Sequence, residues 1–186
     1  MRRRFAVATM LGGTEASNRR RMGMRVGRMG LALALLIGLM TGAPSWAAQT
    51  VEFGASRVDL VAARDGHRTA LAVELATTPA QLEQGLMFRH SLAPDTGMLF
   101  DFGRPRMVAM WMKNTLIPLD MLFLDAGGRI VHIEQNAEPG SLQPRGPAQM
   151  VLGVLELPAG SAARFGLHLG DRVEHPIFQG EPVKSR

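Results

Sequence analysis

The sequence predicts a mainly β fold, a compact sandwich or barrel carrying one or two short helices, behind a separate basic leader. Two observations predict the β architecture. Beyond Gly97 the apolar runs are short, at 97–102, 107–113, 119–124, 129–135 and 150–157. Turn-forming clusters separate them: Gly103-Arg104-Pro105, Asp125-Ala126-Gly127-Gly128, and a 138–147 segment with three prolines and two glycines. Short strands at this spacing are the pattern of sandwiches and barrels. A third observation sets the leader apart: it carries most of the chain's excess positive charge.

The leader, residues 1–47, holds Arg2, Arg3, Arg4, Arg19, Arg20, Arg21, Arg25 and Arg28, then an apolar run at 31–40, then Ser45-Trp46-Ala47. A basic region, a short apolar region and small residues before the cut describe a secretory signal, cleaved after Ala47. The apolar run is too short to cross a bilayer, which takes roughly 20 residues, so an uncleaved anchor is the lesser reading. Met22 and Met24 are alternative starts. The expected product is one exported domain, 48–186, periplasmic or secreted, with no stable membrane span.

Charge follows the same division. Beyond Ala47, 13 of the 21 basic residues face 15 of the 16 acidic ones, a net charge of −2. A domain so balanced has no electrostatic reason to bind nucleic acid. There is no cysteine, so neither disulfides nor thiolate chemistry contribute, and about 139 residues suffice for a core without them.

The elements follow in order. Residues 50–63 read as a leading strand and 69–76 as a second, with Asp65-Gly66 between them as a hairpin signal. Thr78-Pro79-Ala80-Gln81 is a capping box with proline at the first helical position, so a helix is expected over 79–88, facing the core through Leu82, Leu86 and Met87. The 107–113 run reads as a strand, whose alternation puts Trp111 and Lys113 on one face and Met110 and Met112 on the other. Asp125 to Gly128 predicts a second hairpin, joining 119–124 to 129–133. The proline-rich 138–147 segment reads as a loop. Ser161 is placed as the cap of a short second helix, and 172–178 as a last strand.

Four phrases then occur in order: Gly85-Leu-Met-Phe-Arg89, Gly97-Met-Leu-Phe100, Trp111-Met-Lys-Asn-Thr115 with Ile117-Pro118-Leu119-Asp120, and Leu155-Glu-Leu-Pro-Ala-Gly160 with Gly166-Leu-His-Leu-Gly-Asp171. Over about 58–173 the chain resembles the DUF192 family (UPF0127), small prokaryotic domains, often exported, with no agreed activity. The resemblance implies a compact β-sandwich of jelly-roll type and supplies no catalytic residues.

The candidate site is therefore argued from residue chemistry. Polar groups inside apolar runs need partners or a pocket. Trp111, Lys113, Asn114 and Asp120 form one candidate set, with Trp111 as a platform and the others as polar contacts. The competing reading makes Asn114 and Thr115 turn residues, pairs Lys113 with Asp120 and packs Trp111 into the core. Arg89 could fork onto a ligand carboxylate, or bond the preceding helix's last carbonyls or an acidic side chain. Glu156, between Leu155 and Leu157, is either a site carboxylate or the ion-pair partner of Arg89 or Lys113. No Gly-x-Ser-x-Gly elbow or His-Glu-x-x-His motif occurs, and no cofactor is expected. Met107, Met110, Met112 and Met121 raise a soft-metal alternative, since thioethers suit Cu(I), but strand alternation would separate Met107 from Met110 and Met112. Two functions remain: a non-enzymatic module for a small polar or carbohydrate-like ligand or an envelope partner, and an enzyme using Asp120 or Glu156 with Lys113 or Arg89.

Overall fold

The computed structural model describes residues 51–179, so the expected signal segment and its expected cleavage point lie outside the described residues. Seven strands and two short helices make up the fold: β1 (Gly54–Val61), β2 (Arg68–Ala76), α1 (Pro79–Gln84), β3 (Thr96–Arg106), β4 (Leu119–Leu124), β5 (Ile130–Ala137), β6 (Val151–Pro158), α2 (Ser161–Arg164) and β7 (Arg172–Glu174). The mainly β expectation holds. The facing layers are halves of one curled sheet, ordered β5-β4-β6-β3-β2-β1-β7.

Both expected hairpins form, β1 with β2 and β4 with β5. The β2–β3 pair is parallel, because α1 carries the chain back across the sheet between them. The remaining pairs are antiparallel. The two edge strands also meet. Arg129 and Arg172 bridge, the Ile130 N–H donates to the Asp171 carbonyl at 2.7 Å, and the Val173 N–H donates to the Gly128 carbonyl at 2.8 Å. The contact pins the two edges together at one end, while β5 beyond Ile130 keeps β4 as its single ladder partner.

Alternation along the strands sorts the core into two layers. Leu60, Leu71, Leu99, Leu122, Leu155 and Val173, drawn from six strands, meet inside the curl. On the outer face of β3, β4 and β6 lie Met98, Phe100, Met121, Phe123 and Val154, covered by Leu86 and Met112. That second layer underlies the candidate site.

Four expectations are corrected. The first helix stops at Gln84, not Phe88, because Gly85 turns at φ 48°, where a Cβ would come within 2.9 Å of the Phe100 ring. Its capping box is as expected, with the Gln81 N–H donating to Thr78 Oγ1. The 107–113 run is not a strand. β3 instead extends through Gly103-Arg104-Pro105 to Arg106, and only Met110 of the following segment pairs, in a bridge with Arg145. β3 already has β2 and β6 as neighbours, and the proline-rich 138–147 loop offers no continuous ladder. The last strand ends at Glu174, since Pro176 starts a single 3₁₀ turn. Gly160, not Ser161, takes the cap position of α2.

The closing seam is tight at Gly128, at φ +74°, where an added Cβ would sit 2.3 Å from the Val173 carbonyl oxygen. Gly128→Ala is expected to cost at least about 2 kcal/mol in urea unfolding, from a strained backbone and a clash that must push the edge strands apart.

Candidate functional site

The structure separates the charged candidates and assigns most of them to the scaffold. Asp120 is buried on the inner side of β4 and pairs with no cation. Its Oδ1 accepts from the Asn136 N–H and its Oδ2 from the Ala162 N–H, both at 2.8 Å. Asn136, at φ 51°, lies where β5 slips register against β4, and Ala162 is in the first turn of α2, whose cap Gly160 has no side chain to offer. One carboxyl group thus satisfies a bulge and a helix start. The expected Lys113–Asp120 pair does not exist.

Arg89 places both terminal nitrogens on Glu74, Nη1 at 3.0 Å from Oε1 and Nη2 on Oε2, and lies 5.6 Å from the Phe53 ring centre. It pairs with neither Glu156 nor a site. Asn114 turns at φ 55°, a left-handed conformation that asparagine tolerates, and its carbonyl accepts from the Phe88 N–H at 2.8 Å. Its Nδ2 touches Met87 Sδ at 3.8 Å. Thr115 is buried at the same turn, its N–H donating to the Met112 carbonyl. Lys113 is exposed, with Nζ 5.3 Å above the Trp111 ring. Trp111 is 49% exposed, so it is not packed core.

Glu156 and the 107–115 segment line a cavity of about 310 Å³. Leu82, Gly85, Leu86 and Met87 form one wall, from α1 and the turn after it. Phe100, Phe102 and Arg106 contribute from β3, residues 107–111 and Thr115 form the opposite wall, and Glu156 supplies the floor from β6. A second groove of about 340 Å³ runs beside it, sharing Met87 and Trp111 and reaching Phe88, Lys113 and Asn114. Trp111 is the ridge between the two.

Glu156 is 3% exposed and has no hydrogen-bond or ion-pair partner among the described residues. Leu155 and Leu157 point into the curl, so Glu156 faces the outer layer, between Met98 of β3 and Met121 of β4. Burial alone pushes its pKa from 4.5 up to about 8, so at neutral pH it is a proton donor. The ion-pair reading of Glu156 is therefore corrected: it is unpaired and faces the cavity.

Three of the four sequence phrases line this cavity, through Gly85, Leu86 and Met87, through Phe100, and through Trp111 and Thr115, and the fourth supplies Glu156. Their convergence was the available signal. Arg106, Met87 and Phe102 were not singled out, because nothing local marks them. With 107–113 released from strand geometry, the alternation argument against the methionines also falls: Met107 and Met110 line the cavity together with Met87. Met112 and Met121 are fully buried in the core. No group of three or more His, Asp or Glu residues is placed to hold a metal among the described residues.

Ser56 Oγ lies 2.8 Å from His175 Nε2, an arrangement suggestive of a nucleophile and its base. His175 Nδ1, however, accepts from the Ile177 N–H, which assigns the ring proton to Nε2 and makes Ser56 the acceptor. Burial further lowers the His175 pKa. In that tautomer the imidazole takes no proton from the serine.

A small β domain of one curled sheet with a carboxyl-lined pocket is the class that fold and site define. The family profile described as "Uncharacterized ACR, COG1430", DUF192, matches residues 60–175, and the chain belongs to that family. A crystal structure from Sinorhizobium meliloti 1021, described as a candidate transcription regulator, is 49% identical, with a TM-score of 0.66, covering 69% of this chain and 98% of that one. A protein of unknown function from Novosphingobium aromaticivorans DSM 12444 is 39% identical, with a TM-score of 0.62, covering 65% and 85%. A search among curated proteins returns no match.

Two outcomes check these assignments. Asp120→Ala should lose about 3 kcal/mol in urea unfolding, since the buried Ala162 N–H and the half-buried Asn136 N–H both lose their acceptor, while Lys113→Ala should stay within about 0.5 kcal/mol. Glu156 holds its proton more tightly folded, at about 8, than unfolded, at 4.5, so the folded chain binds more protons between those values. Its contribution to stability is full below pH 4.5 and is lost as pH rises through about 8, at up to about 1.4 kcal/mol per pH unit. Glu156→Gln should flatten that dependence.

Proposed function

We propose that this DUF192 chain is an exported binding module that seats a small ligand between Trp111 and Glu156. The observation that carries the reading is Glu156, a buried, unpaired carboxyl lining a cavity of mixed apolar and polar walls. A native chain keeps such a group at a cost in stability, and a ligand-facing role accounts for the cost. A volume of about 310 Å³ is at the lower end of ligand pockets, which span roughly 300–1,000 Å³. The walls set apolar side chains beside Gln84, Arg106 and Thr115, which suits a compact ligand with an apolar body and a polar end. Export rests on the basic leader and its Ser45-Trp46-Ala47 end.

The carboxylate-enzyme alternative needs Asp120 or Glu156 beside Lys113 or Arg89. Asp120 is committed to backbone N–H groups and Arg89 to Glu74, which leaves Glu156 without either cation. The name of the Sinorhizobium relative raises a nucleic-acid role. Residues 51–179 carry 11 basic and 14 acidic residues, a balance that does not favour it. The soft-metal reading keeps one supporting observation, the three cavity thioethers of Met87, Met107 and Met110. A Cu(I) titration against a competing chelator tests it directly.

The test of the main reading is a metabolite screen by thermal shift on wild type, Trp111→Ala and Glu156→Leu. Glu156→Leu is expected to melt no lower than wild type at pH 8, having lost a costly buried acid. A ligand of this site should raise the wild-type melting temperature and raise it far less in both variants. Compounds that stabilise all three proteins alike would place binding elsewhere and remove the reading.

A further inference from the structure

The charged groups facing the cavity are few. Glu156 comes from β6, Arg106 from the end of β3 and Glu83 from the exposed side of α1, while residues 107–111 are Met, Val, Ala, Met and Trp, none of them titratable. Arg106 has no acidic partner among the described residues. Its guanidinium lies 5.4 Å from the Phe102 ring centre, so its N–H fork stays available at the mouth. Lys113 lies across the Trp111 ridge, in the second groove.

Two head-group chemistries would satisfy Glu156. An ammonium head would need the carboxyl ionised in a site where its neighbours on both adjacent strands are methionines, and it would bring a cation toward Arg106. An acceptor needs neither, because the protonated carboxyl donates to it as it stands. We propose that the pocket selects an apolar molecule bearing a neutral or anionic hydrogen-bond acceptor, the Glu156 carboxyl donating its proton to that acceptor and Arg106 adding donors at the mouth. This rests on the binding reading above and adds the chemistry of the head group. Burial, which raises the pKa of Glu156 to about 8, keeps the donor proton in place at neutral pH.

Four matched probes test it: benzamide, benzoate, benzylamine and toluene, titrated into the purified protein while the labelled methyl groups of Met87, Met107 and Met110 are followed by NMR. Benzamide and benzoate should move these methyls, with benzylamine about tenfold weaker or more. Glu156→Gln, which keeps a donor, should hold benzamide affinity within about threefold, and Glu156→Leu should weaken it about tenfold. Benzamide binding should decline above pH 8 in wild type and not in Glu156→Gln. Arg106→Ala should weaken benzoate more than benzamide. Preferential binding of benzylamine, strengthening between pH 6 and 8, would overturn the proposal. Equal binding of all four probes would overturn the head-group chemistry and leave the pocket as a binding site. Pocket methyls that respond to none of them would remove both.

Discussion

The fold hangs on the carboxyl group of Asp120. A strand as apolar as β4, buried along its whole length, has no evident room for an acid. The acid is there because two other elements leave backbone N–H groups without acceptors. The β5 bulge at Asn136 turns one away from the ladder, and the start of α2 leaves another free beyond a glycine cap. Neutral acceptors could serve each place separately. A single charged acceptor serves both with stronger bonds and holds β5 and α2 to β4. The register of β4 against β6 follows, and with it the position of everything on the outer face of β6.

That dependence links scaffold and pocket through one strand. β6 presents Leu155 and Leu157 to the interior and Glu156 to the outside, an assignment set by period-two alternation and by the strand's place between β3 and β4. Glu156 thus inherits a rigid position from the most enclosed part of the sheet. The walls around it differ in character. The turn after α1 and the 107–115 segment are irregular backbone, joined by the bond between Phe88 and Asn114 and tied to the 138–145 loop through the Met110–Arg145 bridge. A fixed floor under loop-built walls is a common division of labour in binding proteins.

How much of this was legible depended on distance along the chain. The two hairpins and the capping box were readable because their determinants lie within a few residues: Asp65-Gly66, Asp125 to Gly128, and Thr78 with Gln81. The importance of Asp120 was readable too, as a charge in an apolar run, but its role was not. Its partners lie 16 and 42 residues away and are backbone groups, which no side-chain pattern announces. The 107–113 run misled because strand alternation was inferred without a neighbour to pair with, and the sheet had none to give. For Glu156 the sequence correctly placed the residue opposite its leucines. Whether a cation met it there was a question of three dimensions, settled by Arg89 turning to Glu74 instead.

The seam between β5 and β7 has a consequence for the order in which this chain becomes a protein. β1, the first of the described strands, finds its second neighbour only when Asp59 meets Glu174, near the far end of the described chain. Until then its outer edge stands open, and loop closure over so long a span is slow and entropically costly. A chain emerging N-terminus first would therefore hold an unfinished sheet for nearly the whole of its passage. It would close only when a three-residue strand arrives last. The smallest of the described strands is in this sense the latch that completes the curl.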